Sequence, residues 1–176
     1  MSNKKRVVIT GGPGFGKTSI IKRLKRERIH ATPDYARMLI DGFKLKPAES
    51  HLKFQSQWLE LMLAGFNKTN SQTTLFEYGF PDIIAYFRWR DGHDYSIPQQ
   101  FNDAAQNSRF EQVFILRPID PLFFEQDYAR VFTYEKSIEL DREICKAWDE
   151  FDYKPTLVPN IKLDSRVSYI RDHILR

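Results

Sequence analysis

The sequence predicts an α/β fold, a three-layer sandwich in which helices cover both faces of a five-stranded parallel sheet. Two observations predict it. Short apolar runs alternate with longer helical patterns along the chain, and the first run, Val7–Thr10, ends at a glycine cluster as a buried parallel strand does. The chain has 176 residues and shows no internal repeat or linker, so we interpret residues 1–176 as a single domain.

Each predicted strand is a short run of apolar or β-branched residues bounded by turn residues. The second strand is weak and is closed by Pro33. The five predicted strands are Val7–Thr10, Arg28–Thr32, Thr73–Glu77, Val113–Leu116 and Thr156–Val158.

Helical patterns fill most of the segments between these strands. The strongest pattern places Phe54, Trp58 and Met62 on one face, which predicts core packing. Pro81 suits the first position of a helix, and Thr133 is a typical N-cap residue. The predicted helices are Thr18–Glu27, Asp34–Ile40, Ser50–Asn67, Pro81–Arg90, Ser96–Asn107, Thr133–Phe151 and a last helix that begins at Asp164.

Composition excludes several classes of protein. Lys and Arg number 27 against 23 Asp and Glu, and the net charge of +4 permits an anionic ligand without favouring nucleic acid. The single cysteine, Cys145, excludes an internal disulfide and a cysteine-based zinc site, and it fits a reducing compartment. No run approaches the roughly 20 apolar residues of a membrane span, and no signal peptide is visible. We therefore expect a soluble, cytoplasmic protein.

The segment Gly11–Thr18 matches the phosphate-binding motif G-x-x-x-x-G-K-[ST], and it follows a predicted strand and opens a predicted helix. Glycines let successive backbone N–H groups turn inward, and the helix N-terminus adds to the anion site. Lys17 is placed to reach the β- and γ-phosphates, and the Thr18 hydroxyl to bind Mg²⁺. The predicted nucleotide-binding residues are Gly12, Pro13, Gly14, Phe15, Gly16, Lys17, Thr18 and Ser19.

A protein with this loop needs a second carboxylate near the metal, at the end of a buried strand. Glu77 ends the predicted third strand and fits this position, either as a metal ligand or through a bound water. The alternative is an ordinary surface carboxylate. Thr18 and Glu77 are thus the predicted metal residues.

The sequence does not favour a GTPase. The switch motif D-x-x-G does not occur, and the segment nearest to N-K-x-D, Asn67–Asn70, ends in Asn and precedes the third strand. The choice between ATP and GTP stays open.

The four histidines show no metal-binding spacing, and we expect ordinary surface or core side chains there.

Several segments, in this order, resemble the NadR-type AAA-domain P-loop ATPases, a family related in fold to nucleoside and deoxynucleoside kinases. The resemblance covers nearly the whole chain and implies a nucleoside-kinase-like P-loop fold with a short lid. The segments are Val7–Ser19, Thr32–Arg37, Leu75–Arg88, Val113–Pro118, Asp127–Arg130 and Asp164–Ile174.

The resemblance implies roles for individual residues. Asp34 occupies the position of a carboxylate that contacts the acceptor hydroxyl and acts as general base, and Arg37 lies one turn further on. Arg130 matches the lid arginine that folds over the transferring phosphate. One departure is Tyr78, which stands where the family commonly has arginine and which offers no bidentate charged contact. Separately, Arg117 lies at the carboxyl end of the fourth strand, where ligands of open α/β sheets bind. The sequence leaves open whether its side chain faces the site.

Two functions are compatible with the sequence. The first is an ATP- and Mg²⁺-dependent phosphotransferase, a nucleoside-type or small-molecule kinase or an ATPase, with Lys17, Asp34 and Arg130 as catalytic residues. Asp34, Arg37 and Arg117 then bind an unidentified small-molecule acceptor. The alternative is a regulatory module that binds ATP or GTP, hydrolyses it slowly and has a protein or lipid partner. The sequence leaves the oligomeric state open.

Overall fold

Five parallel strands form one sheet in the computed structural model, in the order β2-β3-β1-β4-β5, which confirms the predicted fold class. The structure describes residues 4–45, 47, 51–69, 72–124 and 132–174. In the central strands Ile9 lies opposite both Glu77 and Phe114, so these strands end side by side at one edge of the sheet. The strands are β1 (Lys5–Thr10), β2 (His30–Ala31), β3 (Thr73–Glu77), β4 (Gln112–Leu116) and β5 (Thr156–Val158).

Helices cover the sheet on both faces and bury two separate apolar cores. One core includes Trp58, Ile84 and Trp148, and the other includes Leu24 and Ile170. Among the described residues, five helices therefore contribute to the first core and two to the second. The helices are α1 (Lys17–Arg26), α2 (Tyr35–Arg37), α3 (His51–Lys68), α4 (Phe80–Asp91), α5 (Gln99–Asn107), α6 (Tyr134–Glu150) and α7 (Leu163–Ile174).

Three predicted elements are shorter in the structure. β2 loses its first residues because Arg28 has a φ of 66°, a left-handed conformation that ends α1 and does not fit a strand. α5 begins at Gln99 rather than Ser96, since Pro98 disfavours the helical conformation at the residue before it. α2 has three residues, and a π-helical turn, Met38–Gly42, replaces the rest of the predicted helix.

The predicted cap of α6 is confirmed, because the Thr133 hydroxyl accepts a hydrogen bond from the Lys136 N–H.

In the described part of the chain, no helix combines the length and the apolar character that a membrane crossing requires.

Asp82 links three elements near the carboxyl end of β1. Its Oδ1 accepts hydrogen bonds from Thr10 Oγ1 at 2.7 Å and from Trp148 Nε1 at 3.0 Å, and its Oδ2 accepts one from the Gly79 N–H at 2.6 Å. The side chain is fully buried, and burial raises the pKa of its carboxyl to about 6 although the three donors and Lys17 act in the opposite direction. One carboxyl group thus joins β1, the start of α4 and α6.

We expect Asp82 to make unfolding depend on pH. Because its pKa is raised from 3.8 to about 6, the folded state binds a proton more tightly than the unfolded chain. The stabilisation is present in acid and is lost as the pH rises through about 6. Asp82→Asn removes this titration, so the difference in unfolding free energy between wild type and variant should change by about 2 kcal/mol between pH 4.5 and 7.5. Urea unfolding at both pH values measures it, and a constant difference would contradict the assignment.

Candidate functional site

The loop between β1 and α1 has the backbone conformation that its glycines allow. Gly14 and Gly16 have φ values of 80° and 92°, in the left-handed region that other residues enter only with strain. Gly16 is the N-cap of α1 and brings no side-chain cap, so the first N–H groups of the helix face the loop without a side-chain acceptor from the cap. This is the geometry of an anion site at a helix N-terminus.

Lys17 folds back onto the loop. Its ammonium donates hydrogen bonds to the carbonyl oxygens of Gly11 and Gly12, both at 2.8 Å, and lies 4.6 Å from the centre of the Tyr78 ring. The residue is only 4% exposed, so these contacts replace the water that a buried ammonium loses. Phosphate oxygens that enter the loop compete for the same N–H donors, which is the role predicted for Lys17.

The two predicted metal residues lie together. The Thr18 hydroxyl donates a hydrogen bond to Glu77 Oε1 at 2.8 Å, and Glu77 is buried at the end of β3. A hydroxyl and a carboxylate are hard oxygen ligands that suit Mg²⁺, which usually keeps several waters and binds substrate phosphates. The described residues contain no group of three or more His, Cys, Asp or Glu that could hold a metal alone, so this pair fits a Mg²⁺ ion shared with phosphate.

Asp34 has a structural contact that the sequence analysis did not anticipate. Its Oδ1 accepts a hydrogen bond from the Arg37 N–H at 2.9 Å, and Asp34 is therefore the N-cap of α2. β2 is the neighbour of β3 and parallel to it, so Asp34, which follows β2, and Glu77, which ends β3, lie at the same edge of the sheet. The cap fixes the Asp34 carboxylate at this edge, and the Arg37 side chain is half-buried on the same turn.

Arg117 reaches the loop through a buried acid. Its guanidinium lies 3.7 Å from Asp141 Oδ2, while Asp141 Oδ1 accepts a hydrogen bond from the Gly12 N–H at 3.0 Å. Burial raises the pKa of Asp141, and the Gly12 N–H, Arg117 and Lys17 oppose this. Asp141 was not among the predicted site residues, although it lies on the buried face of α6 with Ser137 and Ile144, where an acidic residue is uncommon.

Arg166 on α7 is the second functional residue that the sequence analysis missed. Its guanidinium donates hydrogen bonds at 3.0 Å to three carbonyl oxygens, those of Phe15, Arg117 and Pro159. A fourth bond of 3.2 Å goes to Asn160 Oδ1. Burial lowers the pKa of Arg166, yet the residue is 2% exposed and serves as a charged clamp between the loop and the ends of β4 and β5.

The other predicted residues divide into three groups. The Phe15 ring is buried beneath the loop and Pro13 is also buried, whereas Ser19 is exposed on α1. Tyr78 is fully buried with a φ of 69° and packs edge-on against Trp58. Arg130 and the rest of the predicted lid lie outside the described residues, so its role stays a prediction.

The model of a family described as an AAA domain matches residues 6–166. The search of curated proteins finds no match.

Solved structures share the fold at low sequence identity. Deoxyadenosine kinase from M. mycoides matches with a TM-score of 0.68 and 11% identity, over 97% of this chain and 98% of that one. Thymidylate kinase from Candida albicans matches with a TM-score of 0.65 and 16% identity, over 98% and 92%. NadR in complex with NR matches with a TM-score of 0.73 and 15% identity, over 97% of this chain and 50% of that one. The chain therefore spans about half the length of NadR, and the three likenesses show a kinase-type P-loop fold.

We expect Arg166→Lys to damage the loop, because an ammonium cannot replace a planar guanidinium that bonds four acceptors in different directions. The unfolding free energy should fall by about 3 kcal/mol, and the affinity for Mg²⁺-ATP should fall at least about tenfold. Arg171→Lys on the same helix is the matched control, since Arg171 forms surface ion pairs with Glu27 and Asp172, and pairs of this kind contribute little to stability. Urea unfolding and calorimetric nucleotide titration measure both effects. Equal behaviour of the two variants would disprove the clamp.

Proposed function

The chain belongs to the AAA domain family, and on that premise we propose that it is an ATP- and Mg²⁺-dependent phosphotransferase acting on a small, nucleoside-type acceptor. The carrying observation is the joint position of three groups at the ends of β1 and β3. The Lys17 ammonium, the Thr18 hydroxyl and the Glu77 carboxylate offer a phosphate-binding cation and a pair of oxygens for a metal.

The donor side of the proposed site consists of the loop and the start of α1. The backbone N–H groups of residues 12–18 and the Lys17 ammonium would hold the triphosphate. Mg²⁺ would be bound by Thr18 and, directly or through water, by Glu77, and it would neutralise charge on the β- and γ-phosphate oxygens. Arg117 would add positive charge from the end of β4, with its approach to the loop set by Asp141.

The acceptor side lies near α2. Asp34 would orient the acceptor hydroxyl and take its proton while the acceptor oxygen forms a bond to the γ-phosphorus and the bond to the bridging oxygen of ADP breaks. Arg37 would contact the acceptor from the same turn, and Arg130 would come from the lid. Rate enhancement then comes from positioning and electrostatics rather than from covalent chemistry.

The solved structures support the proposal through their fold. The deoxyadenosine kinase structure contains dCMP and dCDP, and a second NadR structure contains NAD and AMP-PNP. At identities of 10–16%, these proteins support the proposal through their fold alone. A cytoplasmic location, where ATP is abundant, belongs to the same proposal.

A regulatory nucleotide-binding module is the second candidate. Tyr78 favours it, because a neutral, fully buried ring stands where the resemblance places an arginine that makes a charged contact. The turn Pro121–Phe123 adds to this, since Leu122 and Phe123 are 89% and 74% exposed and offer apolar area to a protein or lipid partner. Such a module would hydrolyse nucleotide slowly whether or not an acceptor is present.

Consumption of nucleotide separates the two candidates. Mg²⁺-ATP and Mg²⁺-GTP are supplied with and without a pooled panel of nucleosides. A kinase should consume one of them faster with the pool, and Lys17→Ala should lower this rate at least about 100-fold because the charge on the transferring phosphate loses its ammonium. Lys22→Ala, an exposed lysine on the same helix, is the control. Slow consumption that ignores the pool and is lost in Lys17→Ala would overturn the kinase in favour of the regulatory module.

Asp34→Asn tests the general base without disturbing the cap. Asparagine is as good an N-cap as aspartate, so the start of α2 and the unfolding free energy should change little. Its amide accepts no proton, and the rate of phosphoryl transfer should fall about 100-fold or more while the Kd for ATP stays the same. Unaltered transfer by Asp34→Asn would remove Asp34 from the mechanism.

A further inference from the structure

Tyr78 has a backbone conformation that few tyrosines adopt. Its φ of 69° lies in the left-handed region, and its side chain is fully buried directly after β3. Its N–H donates a hydrogen bond to the Ile9 carbonyl oxygen at 3.3 Å, so this turn is tied to β1. A bulky residue adopts such a conformation only at a cost in free energy, and costs of this kind concentrate at functional sites. The position of the Tyr78 ring therefore calls for an explanation.

The face of this ring lies against the Lys17 ammonium. Lys17 Nζ is 4.6 Å from the ring centre, inside the distance of about 6 Å within which the face of an aromatic ring attracts a cation. The same ammonium donates hydrogen bonds to the carbonyl oxygens of Gly11 and Gly12. Because Lys17 is only 4% exposed, water screens little of the attraction between the ring and the cation.

Two further rings fix the orientation of the Tyr78 ring. Trp58 on α3 packs edge-on against it, with 5.5 Å between ring centres and 88° between ring planes. Tyr86 on α4 does the same at 6.1 Å and 78°, and Trp58 and Tyr86 contact each other at 5.4 Å and 80°. Edge-to-face packing is a favoured arrangement of aromatic pairs. A rotation of Tyr78 would therefore disturb contacts with two helices at once.

Two buried carboxyl groups attract the same ammonium. Lys17 lowers the pKa values of both Asp82 and Asp141, whose burial raises them. A carboxylate that bonded the ammonium would also cancel its charge. The Tyr78 ring attracts the ammonium through the negative face of its π-system and carries no net charge itself. An arginine would instead bring a second positive charge to this buried position.

We propose that Tyr78 is a positioning residue that holds the Lys17 ammonium at the phosphate-binding loop through the face of its ring. The left-handed backbone and the rings of Trp58 and Tyr86 aim this face, and the ammonium keeps its charge for a phosphate. When the attraction is weakened, the buried carboxyl groups compete better for the ammonium and the affinity for a triphosphate falls. The proposal rests on the proposed function for the part that Lys17 plays in transfer, and not for the binding of nucleotide.

The first test detects the contact by NMR in the full chain, with and without Mg²⁺-ATP. Protons above the face of an aromatic ring resonate upfield, so the methylene protons next to the Lys17 ammonium should lie upfield of those of Lys22, an exposed lysine on the same helix. The shift should persist when nucleotide is bound, and Tyr78→Leu should remove it. If the shift is absent in either state, the ring does not hold the ammonium and the proposal is overturned.

The second test weakens the attraction in steps without removing the ring. Tyr78→Phe is compared with chains that carry phenylalanine analogues with one, two or three ring fluorines at the same position. Each fluorine withdraws electrons from the ring face and weakens its attraction for a cation, while the size of the ring changes little. The Kd for Mg²⁺-ATP, measured by calorimetry, should rise with every fluorine, by about tenfold over the series. A Kd that does not depend on the number of fluorines contradicts the proposal.

The same fluorinated series at Phe80 is the matched control. Phe80 is also buried, and its ring packs on the rings of Phe66 and Phe110. Fluorination there should leave the Kd within about twofold of the unmodified chain. An equal rise at Phe80 and at position 78 would assign the effect to core packing and disprove the role of Tyr78.

The two proposals fail in distinguishable ways. If phosphoryl transfer is absent while the Kd for Mg²⁺-ATP follows the fluorines at position 78, the proposed activity is wrong and the positioning role of Tyr78 stands. If transfer occurs and neither the Lys17 resonances nor the Kd respond to position 78, the kinase stands and the role of Tyr78 is disproved.

Discussion

The fold of the phosphate-binding loop depends on one buried guanidinium. Arg166 lies 151 residues beyond its bonding partner Phe15, and it bonds the ends of β4 and β5 with the same group. A guanidinium has five N–H donors in one plane, so its acceptors hold each other at fixed angles. Glycines permit the loop conformation, but they do not select it. The clamp selects it, because a different loop would leave a buried charge without partners.

Charges of opposite sign balance each other around this loop. The Lys17 ammonium is nearly buried, and it lowers the pKa values of both Asp82 and Asp141, whose burial raises them. Asp141 holds the Gly12 N–H from α6, and Asp82 holds Thr10 and Gly79 from α4. Two helices of the first face, α4 and α6, therefore each contact the loop or the residues that flank it through a carboxyl group.

Local patterns in the sequence predict the sheet, most helices and the pair Thr18 and Glu77, because each depends on neighbours in the chain or on strand ends. The positions of Arg166, Asp141 and Asp82 could not be predicted in the same way, since each bonds a partner that lies between 72 and 151 residues away in the sequence. An acid on the apolar face of a helix, as at Asp141, is the one local sign of such a contact. Asp34 differs from these residues, because the resemblance to a family implied its role as general base. The structure adds a second, structural role, since its carboxylate also caps α2.

The proposed phosphotransferase requires that a triphosphate and a hydroxyl-bearing acceptor meet on opposite sides of Lys17. The decisive experiment is to measure the binding of compounds that join adenosine to a second nucleoside through four or five phosphates, with ATP and the free nucleoside as references. One such compound should bind at least about tenfold more tightly than ATP, because a single molecule then occupies both sides and loses its translational and rotational entropy only once. Lys17→Ala should abolish this gain. If every joined compound bound no better than ATP, there would be no acceptor side facing the loop.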